Sequence, residues 1–220
     1  MPAATIRHRH GASFTPISPL LLLSLGKSMT SSTSTSQTKN TVYIAVFAAM
    51  IAAMGLLPPI TLGIIPVPIT LQTLGVMLAG ALLGPWRGAM ASLVVVVLAL
   101  AGLPLLAGGR GGFGVFLGPT GGYLLGWILG SLIIGALFKY WVLRITGKTA
   151  QFFAGLLSVI AGGIGGIYLC GVPWTAMVTG LDLGTSLLGS AAFLPGDLFK
   201  AVVTTLVALT VHRSYRGLMK

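Results

Sequence analysis

Ala91-Ser-Leu-Val-Val-Val-Val-Leu-Ala-Leu100 is apolar on every face. It lacks the alternating polarity, in segments of about ten residues, that marks a strand of a membrane barrel. The remaining structure that can span a bilayer is a helix, whose backbone groups are satisfied internally. Working outward, several runs of the chain approach the roughly 20 apolar residues needed to cross. Hydrophobic residues make up 55% of the 220 positions and charged residues only 7%, with a mean hydropathy of +0.99. A soluble domain of this size needs far more surface charge. The expected fold class is an all-α integral membrane protein, a compact bundle of six transmembrane helices with structured external loops.

Hydropathy and Gly/Pro breaks place the six helices at about 41–57, 68–84, 88–104, 120–139, 150–170 and 195–212. The membrane domain thus covers 41–212. Residues 1–40 differ in composition: Arg7-His-Arg-His10, the short run Leu20–Leu23 broken from its surroundings by Pro16 and Pro19, and a Ser/Thr-rich tract from Met29 to Thr38. That composition favours a disordered tail, or a gene start placed too early, with Met29 as the initiator. Residues 213–220 form a short basic tail. Lys and Arg gather on one side of the expected topology: Arg7, Arg9, Lys27 and Lys39 before the first span, Arg87 after the second, Lys139, Arg144 and Lys148 after the fourth, and Arg213, Arg216 and Lys220 at the end. The bias puts both termini in the cytoplasm of a multi-pass membrane protein. It also accounts for the net charge of +11 with no nucleic-acid partner.

Against this apolar background two charges stand out. Asp197 and Lys200 lie in Leu194-Pro-Gly-Asp-Leu-Phe-Lys200, at the opening of the last span, in a chain with only 2 acidic residues. An ionisable pair inside the membrane is costly, so its default reading is a functional site. The spacing of three puts both groups on one helix face, where they can pair or open to hold a ligand. Three stiff loops face the same side. Pro58 to Thr70 carries four prolines, and Leu106 to Gly122 carries Arg110 between Gly108-Gly109 and Gly111-Gly112. The third runs from Gly171 to Leu194 and holds Asp182, read as solvent-facing. Together they suggest a lidded pocket. Arg110 is its candidate loop cation, Gly111 and Gly112 its candidate backbone contacts, and Phe113, Phe116, Tyr123 and Trp174 its candidate flat walls.

Other signals point away from catalysis. Gly26-Lys-Ser28 and Gly147-Lys-Thr149 resemble fragments of a phosphate-binding loop, but the required upstream glycine is replaced by Leu21 and Val142. If transport is driven by ATP, another subunit hydrolyses it. The three histidines form no metal-ligand cluster, and Cys170 stands alone. No metal or cofactor is expected. Small residues recur every four positions in the first span (Ala45, Ala49, Ala53), the fourth (Gly122, Gly126, Gly130) and the fifth (Gly162, Gly166). Such spacing lets helices approach closely. In the later spans it reads as packing inside the bundle, in the first as an external docking face.

Ile65-Pro-Val-Pro-Ile-Thr-Leu-Gln72, Leu117-Gly-Pro-Thr-Gly-Gly-Tyr-Leu124 and Phe193-Leu-Pro-Gly-Asp-Leu-Phe-Lys200 together resemble the BioY family. This family comprises the biotin-specific substrate-binding (S) components of energy-coupling factor transporters. The resemblance covers about residues 41–212. It implies high-affinity capture of biotin from outside, with a transmembrane coupling (T) subunit and a pair of ABC-type ATPases as partners. It further implies that Asp197 and Lys200 belong to the biotin site, that the loop between spans three and four covers it, and that Ala45, Ala49 and Ala53 dock the coupling subunit. Some relatives carry a polar amide in the covering loop where this chain has Arg110. The chemistry agrees: a buried carboxylate can accept from the two ureido N–H groups, while Lys200 either neutralises Asp197 or attracts the ligand carboxylate. The rival expectation is a stand-alone proton-coupled or facilitative vitamin carrier, with Asp197 as a proton relay.

Overall fold

The computed structural model describes residues 19–60, 66–215 and 219. The chain divides into Met1–Lys39 and Asn40–Lys220. The first helix, α1, runs Pro19–Met54. Of the tail expected over 1–40, residues 19–40 are part of this helix, and residues 1–18 lie outside the described set. No proline stands between Pro19 and Pro58 to interrupt it.

From Asn40 onward the unit is helical, with isolated β-bridges at Ile60–Ile69 and Leu106–Arg110. The order is α2 (Gln72–Leu83), α3 (Pro85–Leu100), α4 (Phe113–Leu117), α5 (Gly121–Tyr140), a 3₁₀ turn (Val142–Arg144), α6 (Lys148–Ile160), a π turn (Ala161–Gly166), α7 (Ile167–Thr179), α8 (Leu183–Ala191) and α9 (Leu194–Ser214). Among the described residues, Gly121–Arg144, Lys148–Thr179 and Leu194–Ser214 are long and apolar enough to cross a membrane. With 12 and 16 residues, α2 and α3 reach only about 18 and 24 Å at 1.5 Å per residue.

Each expected span corresponds to a helical stretch, with two main shifts. The second starts at Gln72 rather than 68, because Ile69 is engaged in the bridge to Ile60. The fifth does not stop at 170. It continues through the π turn and past Pro173 to Thr179, where Gly180 at φ 73 ends it. A left-handed residue at that position is a common helix terminator, and glycine adopts it without steric cost. The third loop is accordingly shorter than expected and contains α8.

The buried side chains form two clusters. One gathers Ile51, Val76, Val95, Leu124, Trp127 and Ile167 at the end that carries the loops. The other gathers Met77, Ile134, Phe138, Val159, Ala201 and Leu209 at the opposite end. α5 runs through both, against α2, α3, α7 and the π turn. Its glycines make that approach possible. A Cβ on Gly126 would lie 2.6 Å from the Ile167 carbonyl oxygen, and one on Gly130 2.6 Å from that of Gly162. The glycine stripes of spans four and five are thus internal packing, as their spacing suggested.

Candidate functional site

Leu194 and Pro195 open α9, which places Asp197 in its first turn. Unpaired backbone N–H groups and the helix dipole favour a carboxylate there. Lys200 follows one turn later, and its Nζ lies 2.9 Å from Asp197 Oδ1; both side chains are buried. The ammonium also donates to the Thr70 carbonyl (2.7 Å) and to Thr73 Oγ1 (2.8 Å). All three of its donors therefore have partners. The other carboxylate oxygen, Oδ2, accepts from the Tyr168 hydroxyl at 2.8 Å. The pair thus joins α9 to α7, to α2 and to the segment before α2.

Around the pair stands an aromatic box. Tyr123, Tyr168 and Phe193 meet edge to face with centroids 6.2–6.4 Å apart. The Tyr123 hydroxyl is anchored to Ser190 Oγ at 2.7 Å, and Ser190 in turn donates to the Ser186 carbonyl. Trp127, Ile69 and Arg110 complete the walls of a cavity of about 50 Å³. That is smaller than the roughly 300 Å³ at which ligand pockets begin.

The loop above is held by a residue that sequence reasoning did not single out as a site residue. Gln72, buried at the start of α2, donates to the carbonyls of Ile51 (3.2 Å) and Leu105 (2.9 Å) and accepts from the Ala107 amide (3.0 Å). Arg110 then closes a small ring: its backbone pairs with Leu106, and its Nε donates to the Ala107 carbonyl at 3.1 Å. Its side chain, half-buried, reaches the cavity.

Of the expected site residues, Asp197, Lys200, Arg110 and Tyr123 line the cavity. Gly111, Gly112, Phe113 and Phe116 are not among its walls. Gly111 packs against Leu103, whose carbonyl oxygen a Cβ would meet at 2.2 Å. Gly112 sits at φ 89 and gives its N–H to Ala99. Gly112 thus has its donor engaged within the fold, and Gly111 permits the close approach to Leu103. Phe113 is exposed, and Phe116 stacks on Trp174 with centroids 5.1 Å apart. Trp174 donates through Nε1 to Gly118 at 3.0 Å, tying the α4 region to α7. Asp182 caps α8 by accepting from the Thr185 amide and hydroxyl, and these bonds hold its carboxyl below the usual carboxylate range.

Tyr168, Thr70, Thr73 and Gln72 were the residues missed. A tyrosine or glutamine isolated in an apolar run was the available signal, since a buried polar tip needs a partner. Ala45, Ala49 and Ala53 are exposed on α1, while Ala48 and Ile51 face the core.

The family model that matches residues 28–217 is that of the BioY family. The chain belongs to the BioY family. A biotin transporter BioY of Rhizobium etli is 47% identical over 178 residues, covering 81% of this chain and 95% of the relative. The BioY transporter of Lactococcus lactis is 39% identical over 82% of this chain and 94% of its own length. Among solved structures, the S-component for biotin from an ECF-type ABC transporter superposes with a TM-score of 0.76 at 36% identity, covering 81% of this chain and 93% of that one.

Proposed function

We propose that this chain captures biotin in the cavity beside Asp197 and Lys200 and serves as the substrate-specific subunit of an ATP-driven uptake system. One observation carries the reading: a carboxylate and an ammonium buried together in an apolar bundle, walled by aromatic rings, at the end that bears the stiff loops. The ligand's two ureido N–H groups suit the Asp197 carboxylate, in charge-assisted bonds. Tyr123, Tyr168 and Phe193 offer flat faces for its bicycle. Its carboxylate suits Arg110, the loop cation that reaches the cavity without a carboxylate partner of its own.

Entry requires expansion. Lys200 is bonded to Thr70 and Thr73, so these two residues shift as Lys200 gives way to the ligand. In this reading the loop-bearing end faces the outside of the cell. The outward stripe Ala45, Ala49 and Ala53 docks a membrane-embedded coupling subunit, which carries the ATPases. The chain is then a transporter subunit and not an enzyme.

The test has two arms. Purified protein should bind radiolabelled biotin with a Kd in the nanomolar range, equivalent to about 12 kcal/mol. In proteoliposomes, uptake should require the coupling subunit, the ATPases and ATP. Ala49→Trp should leave binding unchanged and abolish association with the coupling subunit. Uptake by the chain alone that collapses with an uncoupler would establish the stand-alone carrier instead.

A further inference from the structure

At the end of the bundle opposite the cavity, α6 and α9 enclose an open groove of about 330 Å³. Its floor is apolar, made by Phe152, Leu206 and Leu209, and its rim carries Lys148, Thr210 and Arg213. Exposed aromatic residues mark the depth of this rim. Tyr140 and Trp141 end α5, and Tyr215 follows α9. Such residues gather where a membrane meets water. The rim therefore sits at headgroup level, and the floor leads toward hydrocarbon.

Among the described residues no carboxylate lies at this rim. Among the described residues Arg213 meets only Gln151, at 3.4 Å. Lys148 makes no hydrogen bond or ion pair among the described residues, and it opens α6, where no side chain caps the helix. A cation at a helix N-terminus meets the wrong sign of the helix dipole, and an anion there is favoured. The chain has two side-chain carboxylates. Asp197 is bonded to Lys200 and Asp182 caps α8, so neither is available here. Among the described residues no carboxylate faces Lys148 or Arg213, so an anion from outside the chain would find both cations open to it.

We propose that this groove is a binding site for an anionic phospholipid, with its phosphate between Lys148 and Arg213 and an acyl chain over Phe152, Leu206 and Leu209. A free phosphate ion satisfies the rim but leaves the floor uncovered. An uncharged or zwitterionic lipid covers the floor but brings no net negative charge to the rim. The site requires both features in one molecule.

Native mass spectrometry of the detergent-purified full chain tests this, with phosphatidylglycerol, phosphatidylcholine and inorganic phosphate as probes. Two basic groups near a lipid surface give a preference on the order of thirtyfold for phosphatidylglycerol over phosphatidylcholine. Lys148→Gln/Arg213→Gln should abolish the preference and leave biotin binding unchanged, which also shows that the variant folds. Leu206→Asn should weaken long-chain phosphatidylglycerol more than a short-chain analogue. Equal retention of the two lipids by the wild type overturns the site. So does a preference that survives the double substitution, or inorganic phosphate binding as tightly as lipid. A double variant that keeps its lipid but no longer joins the coupling subunit would assign the groove to a protein partner instead.

Discussion

Lys200 has no proton to spare: one faces Asp197, one the Thr70 carbonyl and one the Thr73 hydroxyl. Removing the charge of its partner has consequences beyond ligand binding. Asp197→Asn leaves a buried ammonium without a counter-charge, which costs about 3–5 kcal/mol, so thermal melting should fall along with biotin affinity. Asp197→Asn/Lys200→Met should restore most of the melting temperature but not the binding, separating the two roles. Tyr168→Phe removes one hydroxyl donor to a charged acceptor, worth about 1.5–3 kcal/mol. Titration calorimetry should show biotin binding weakened by about ten- to a hundredfold, and unaltered affinity would take Tyr168 out of the site. Asp182 gives a pH dependence of known sign. Its carboxyl is held below the ordinary value by Thr185, so its capping contribution is present above the unfolded-state pKa and lost as pH falls through the folded one. The protection factors of the α8 amides, corrected for the intrinsic pH dependence of exchange, should fall on acidification, and Asp182→Ala should show the reduced protection already at neutral pH.

Between elements, Gln72 is the joint that matters most to the cavity. Its amide ties α2 to the end of α1 and to the loop that bears Arg110. Gln72→Leu keeps the volume but strands the Ala107 N–H, and an unsatisfied buried group costs about 1–3 kcal/mol. The expected result is a lower melting temperature and faster biotin release, with the aromatic box unaltered in near-ultraviolet circular dichroism. The glycines of α5 set a different limit. Gly126→Val drives a branched side chain into the Ile167 backbone, and backbone cannot turn aside as a flexible side chain does. That variant should fail to give a monodisperse protein, whereas Ala49→Trp on the outward face of α1 should purify normally.

Across the whole molecule, what was legible in the sequence follows from the cost of polarity in hydrocarbon. The helical fold was readable because Ala91–Leu100 and its neighbours have no polar face, and the Asp197–Lys200 pair because a charge in such surroundings demands a reason. The loop glycines show a limit of composition: the Gly112 N–H is given to the Ala99 carbonyl of α3 and Gly111 lies tight against Leu103, and composition does not tell an amide turned to a ligand from one turned to a neighbouring carbonyl. Tyr168 escaped notice because a tyrosine in an apolar span is equally consistent with packing until Asp197 Oδ2 is seen 2.8 Å away. The π turn at Ala161–Gly166 lies where the chain passes from one buried cluster, at Val159, to the other, at Ile167. A widened turn of this kind amounts to one surplus residue in an α-helix. The fifth membrane stretch therefore holds a letter it can lose. Excising Gly165 lets the helix tighten while Phe152 and Tyr168 keep their bearings, but excising Leu157, five residues before Gly162, swings everything on one side of the cut by about 100° and turns Tyr168 away from its acid.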